Sequence, residues 1–142
     1  MSNGTKVKKR DGRIEALDLE KMHLMVEEAT RGLAGVSASQ VEMKSGIQFY
    51  DGITTAEIQE ILIKAASDLI DLDHPNYQFV AARLLLFALR KQLYGKMREL
   101  PHLESHIMNC TNIDVYDKEI FDKYSKEEID RANSYIDHER DF

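Results

Sequence analysis

Two cations, Lys9 and Arg10, stand directly before the dipeptide Asp11-Gly12, and a third, Lys91, interrupts a helical stripe formed by Val80, Leu84 and Phe87. Charges at such a turn are either solvated tips or ligands for an anion. The second reading needs an anion site nearby, and Thr54-Thr55 offers one. These threonines open the clearest helix of the chain, where free N–H groups, the helix dipole and two hydroxyls can meet a phosphate oxygen. If hairpin tip and helix start converge, a triphosphate fits between them. Lys91 also has two readings, as a lysine snorkelling its amine to water or as a phosphate partner. Lys21 supplies another cation close to the turn, and the Glu15 carboxylate can accept from a ribose hydroxyl or an adenine amino group.

Missing signatures narrow the chemistry. Neither GxxxxGK[ST] nor GxGxxG occurs, so neither common nucleotide fold is expected. His23, His74, His102, His106 and His138 are scattered, and no Ser/His/Asp or Cys/His arrangement assembles from them. The i, i+4 pair His102 and His106 lacks the intervening Glu of a zincin and an obvious third ligand, so a surface pair is expected there. Cys110 is the single cysteine, which excludes an internal disulfide. Binding without catalysis is the consistent reading, with no catalytic residue and no metal ligand assigned.

The elements that must position these residues follow from spacing. Residues 5–17, TKVKKRDGRIEAL, read as a β-hairpin turning at Asp11-Gly12. Asp18 is an N-cap for a helix with Leu19, Met22, Val26, Ala29 and Leu33 on one face. A second helix is predicted from Ser37 or Ser39 to about Phe49, followed by a short extra strand within 50–54. In the third, Ile58, Ile61, Leu62, Ala65, Ala66 and Leu69 keep the i, i+3, i+4 spacing. Pro75 suits the first position of a fourth helix reaching about Gly95, with Ala81, Leu85, Ala88 and Gln92 along a second side. Beyond Pro101 two shorter helices, about 101–110 and 115–136, are predicted. Ser125 and Glu128 form a capping box that breaks the latter near Tyr124. The fold class is mainly α with a small β-sheet (α+β). It comprises a four-helix bundle capped by a hairpin or three-stranded sheet over residues 5–96, and a helical connector over 97–142.

With 43% hydrophobic and 31% charged residues, the composition is that of a globular protein, without an apolar run of spanning length or a signal-peptide core. A cytoplasmic location away from membranes is the expectation. The net charge of -6 argues against a nucleic-acid partner, yet the charge is uneven. Residues 1–13 carry five bases against one acid, whereas residues 114–142 carry ten acids against five bases. Only the amino-terminal end suits a polyanion.

The opening VKKRDGRIEALDLEKM resembles the start of an ATP-cone domain. FYDGITTAEIQEILIKAASDLI and HPNYQFVAARLLLFALRKQLYG resemble the amino-terminal region of the large subunit of class I ribonucleoside-diphosphate reductase. The resemblance covers nearly the whole chain, including SKEEIDRANSYIDHERDF, which in such subunits leads toward the catalytic barrel. It implies an allosteric module for ATP, an activator, or dATP, an inhibitor, with Mg2+ accompanying the nucleotide. Carried over by position, Lys9, Arg10, Thr55 and Lys91 would contact phosphates, while Val7, Glu15, Leu17, Lys21 and Met22 would surround base and sugar. Gln59 and Phe87 belong to the same implied set, and Gln59 is a departure, since relatives often carry histidine there. The implied partners are the catalytic remainder of the large subunit and the radical-bearing small subunit, with self-association on dATP binding. The resemblance also implies that the redox and radical residues lie beyond this chain, so that it is not active alone. The competing reading is a structural helical interaction module whose basic arm docks a partner without nucleotide.

Overall fold

The computed structural model describes residues 4–142 and has the expected α+β architecture. In it, β1 (Lys6–Lys8) pairs antiparallel with β2 (Ile14–Ala16) through a turn ending at Gly12, whose φ is 86°. The turn sits one residue earlier than Asp11-Gly12. The Gly12 N–H donates to the Lys9 carbonyl at 3.0 Å, and the Lys9 N–H donates to the Arg13 carbonyl at 2.8 Å. Arg10 and Asp11 thus form the tip, and Gly12 takes the left-handed position of a bulged loop. A third strand, β3 (Ile53–Thr54), lies parallel to β1 on its other side, giving the order β2-β1-β3. Val7 and Ile53, at 2% and 0% exposure, turn into the core. The register sets Lys8 beside Thr54, the last residues of the two strands, after which Lys9 enters the turn and Thr55 starts a helix.

Four helices complete the first unit. In α1 (Leu19–Thr30), capped by the Asp18 side chain on the Lys21 N–H, Val26 and Ala29 are buried. The expected apolar face starts late, because Leu19 is 62% exposed. No basic residue closes the end of α1. Instead Arg83 reaches in from a later helix, donating from Nη1 to the carbonyls of Ala29 and Arg31 at 3.2 and 2.8 Å, where positive charge complements the helix dipole. The second helix, α2 (Ala38–Gly46), stops short of Phe49. Gln48 and Phe49 continue as i→i+3 turns after Gly46, a weak helix former.

Thr54 caps α3 (Thr55–Asp68) in a reciprocal box with Glu57, and Ile58, Leu62, Ala65 and Ala66 are buried as their spacing predicts. α4 (Tyr77–Tyr94) begins two residues after Pro75, which instead sits in a tight i→i+3 entry turn. Its buried side is Tyr77, Val80, Ala81, Leu84 and Phe87. The second stripe leaves the core after Ala81: Leu85 is 58% exposed and Gln92 is exposed. Tyr77 links the starts of two helices, its hydroxyl donating to Gln40 and accepting from the Ser37 N–H, both at 3.0 Å.

The chain divides into two compact units between Gln92 and Leu93. In the second, α5 (Leu103–Asn112) packs on α7 (Lys126–Ser134) through Ile107, Thr111 and Ile129. The predicted stretch 115–136 is two helices, α6 (Glu119–Lys123) and α7, separated where the Ser125–Glu128 capping box forms. A 3-10 turn follows at His138–Asp141. Among the described residues, no helix is long and apolar enough to cross a membrane.

Candidate functional site

The hairpin tip and the last turn of α4 meet. Arg10 donates from Nη1 to the Lys91 carbonyl at 3.2 Å, tying the turn to the carboxyl end of the helix. Lys91 is half-buried. Burial, reinforced by the charges of Lys21, Lys9 and Arg10, pushes its ammonium below the ordinary lysine value. Cations from three elements, the β1–β2 turn, α1 and α4, are thus within electrostatic reach of Lys91. Like charges gathered in this way raise each other's free energy and create a strongly attractive site for a polyanion.

The amino end of α3 adds less than the sequence promised. The Thr54 hydroxyl donates to Glu57 Oε2 at 2.7 Å and accepts from the Glu57 N–H at 3.2 Å, so the capping box consumes it. Glu57 also accepts from the Thr54 N–H and from the Tyr50 hydroxyl, both at 2.8 Å. These bonds, that from the Thr54 hydroxyl foremost, hold the Glu57 carboxyl below the usual carboxylate value. Thr55, the first residue of α3, is thus the one hydroxyl of the pair left for a ligand, one residue beyond the Lys8–Thr54 pair.

The remaining sequence candidates separate by burial. Leu17 and Met22 are half-buried, and Lys21 is exposed. Glu15 lies beside the cations, with Oε2 3.5 Å from Lys9 Nζ. Val7 and Phe87 are 2% and 3% exposed, so their side chains belong to the core beneath the site. Gln59, 8% exposed, lines a cavity of about 230 Å³ with Arg10, Glu60, Leu85, Ala88 and Gln92. One turn after Thr55, it faces the hairpin side of α3.

Residues 5–92 match the family model of the ATP cone domain. The chain belongs to the ATP-cone family. Curated relatives extend the likeness over the connector as well. The "Ribonucleoside-diphosphate reductase 1 subunit alpha" of Escherichia coli (strain K12) is 46% identical over 141 residues, covering 99% of this chain and 18% of the relative. The "Ribonucleoside-diphosphate reductase subunit alpha" of Buchnera aphidicola subsp. Acyrthosiphon pisum is 49% identical over 95% of this chain, and that of Enterobacteria phage T4 is 42% identical over 94%. The chain spans about 18% of the length of the first two and 17% of the third. Membership supports a nucleotide-binding regulatory role for this ATP cone.

Outside the cone, other groups converge without making a comparable site. His102 Nε2 lies 3.6 Å from Asp130 Oδ1, and these two with Glu104 hold their ligand atoms within 4.8 Å of one another. The Lys126 ammonium already neutralises them, 3.4 Å from Glu104 and 3.3 Å from Asp130. In addition, His102 Nδ1 accepts the Glu104 N–H, which leaves Nε2 carrying the proton in the neutral ring. His106 is held elsewhere, edge-on between Tyr94 and Tyr116. A larger cavity of about 660 Å³, bounded by Leu93, Leu100, His106, Cys110 and Val115, lacks a convergent set of like charges.

Sequence reasoning missed Arg13, which pairs with both Asp11 (2.7 Å) and Glu15 (3.3 Å). The signal was present in the i, i+2 spacing of Arg13 and Glu15, which places them on one face of the strand. Sequence reasoning also missed the use of a backbone group, the Lys91 carbonyl, for which no residue type gives a signal.

Proposed function

We propose that this ATP cone is an allosteric module that binds ATP as activator and dATP as inhibitor on behalf of a ribonucleoside-diphosphate reductase. The observation that carries the reading is the bond from Arg10 to the Lys91 carbonyl at 3.2 Å, which brings the hairpin tip to the half-buried Lys91, where the charges of Lys21, Lys9 and Arg10 repel its ammonium. A triphosphate relieves that repulsion, with Lys9, Arg10, Lys91 and the Thr55 hydroxyl as its phosphate contacts. Glu15, Leu17, Lys21 and Met22 border the base and ribose. Val7 contributes through its backbone and Phe87 as support, because both side chains are buried. Gln59 lies within reach of the same ligand and contributes a neutral amide, which can donate and accept.

Glu15 is the carboxylate paired to this cluster, and it is tied to Lys9 and Arg13. It offers a poor seat for a hard cation, so Mg2+ enters on the nucleotide's own phosphates, its usual partners. The identity of the relatives as ribonucleoside-diphosphate reductase alpha subunits supports the assignment to a reductase. The partners implied are the catalytic remainder of the large subunit and a small subunit.

Titration calorimetry with ATP and dATP tests the reading. Nucleotide at one hundred times its dissociation constant adds about 2.7 kcal/mol of stability, which a thermal melt resolves. Absence of both heat and thermal shift at millimolar nucleotide overturns it.

A further inference from the structure

Arg13 lies outside the set of residues assigned to the nucleotide, yet it ends a chain of charges that reaches Lys9. Its Nε donates to Asp11 Oδ2 at 2.7 Å, and its backbone N–H donates to Asp11 Oδ1 at 3.1 Å, so Asp11 holds Arg13 by both side chain and backbone. The same guanidinium places Nη1 3.3 Å from Glu15 Oε1, while the other oxygen of Glu15 faces Lys9 at 3.5 Å. One carboxylate is thereby shared between two cations.

We propose that Arg13 is a positioning residue that raises affinity for a triphosphate by holding Glu15 away from full neutralisation of Lys9. This rests on the reading of Lys9 as a phosphate ligand. The argument concerns what Glu15 does when a phosphate arrives. A carboxylate bound only to Lys9 competes with the phosphate for that ammonium, and it loses its sole partner when displaced. Shared with Arg13, it competes less and keeps a partner afterwards. Asp11 makes the sharing possible by fixing the fork of Arg13. The direction of the perturbations agrees: hydrogen bonding with Arg13 lowers the Asp11 carboxyl, and the same contact raises the Arg13 guanidinium.

Every member of this chain is partly exposed, with Arg13 at 69%, so a modest effect is expected. A double-mutant cycle separates positioning from plain attraction of a nearby positive charge. Kd for ATP and for inorganic triphosphate would be measured by calorimetry at low salt on the whole 142-residue chain, in the parent, R13Q, E15Q and R13Q/E15Q. R13Q in the parent background is expected to weaken both ligands about threefold to fivefold, the range of an exposed ion pair. In the E15Q background the same substitution is expected to change Kd by less than about twofold. Unliganded melting temperatures of parent and R13Q should agree, which excludes loss of the hairpin as the cause. An equal loss in both backgrounds assigns Arg13 to general attraction and overturns the proposal, as does no loss in either. Failure of the parent to bind ATP or triphosphate is a separate outcome that removes the nucleotide reading itself.

Discussion

Replacing Lys91 by methionine should stabilise the unliganded protein and weaken the liganded one. The substitution keeps the length of the side chain and its apolar stem while removing the charge that burial, Lys21, Lys9 and Arg10 disfavour. A lysine whose folded value is lowered costs stability wherever both states are protonated, so the whole penalty is present below that folded value. As pH rises from the folded value toward the ordinary 10.5, the folded chain has shed its proton while the unfolded chain retains it, and stability climbs. Relief of an unfavourable charge commonly yields about 0.5–2 kcal/mol, or roughly 2–8 °C in melting temperature for a chain of this size. Binding should move the other way, since a charge-assisted contact is worth about 1.5–3 kcal/mol, or roughly tenfold to a hundredfold in affinity. Melts without nucleotide from pH 7 upward, beside calorimetry with ATP, read both signs. A Lys91→Met protein that melts lower without ligand and binds ATP as tightly as the parent refutes the reasoning, because Lys91 would then be a structural lysine.

Four further outcomes are expected. Gly12→Ala places a Cβ at φ 86° and should cost about 1–2 kcal/mol in denaturant unfolding, while also weakening nucleotide binding through displacement of Arg10. Thr54→Val removes the cap of α3 at a cost of about 1 kcal/mol. Glu57→Gln should flatten the acid limb of the stability profile, because the contribution of Glu57 is present above the ordinary 4.5 and is lost as pH falls through its lowered folded value. His23, raised chiefly by its hydrogen bond to Glu42 at 2.7 Å, stabilises fully below 6.5 and loses that contribution as pH rises through its raised folded value. Glu42→Gln should return the His23 titration, followed by NMR, toward 6.5.

Much of the cone was legible because its signals are local. The spacing of Ile58, Leu62, Ala65 and Ala66 needs only the helical period, and the caps at Asp18 and, beyond the cone, at Ser125 need only side chains that reach three residues onward. The exposed flank of α4 at Leu85 and Gln92 was not legible, since period alone does not count the neighbours of a helix. At the site, residue types identified the cations, but not their convergence, which depends on long-range pairing of β1 with β3 and on the bond from Arg10 to α4. The overestimate at Thr54 has a physical cause. One hydroxyl cannot both close a capping box and serve an anion, and Glu57 lies three residues away to claim it.

The lowered Lys91 ammonium has a practical corollary for anyone handling this domain. A knot of mutually repelling cations does not discriminate strongly at the level of charge alone, so sulfate, citrate and phosphate buffers should all act as weak competitors and as stabilisers. On the proposed reading of these cations, regulation is an exchange of one anion for another rather than the filling of a neutral cleft, and its sharpness depends on whatever small ions the surrounding solution supplies.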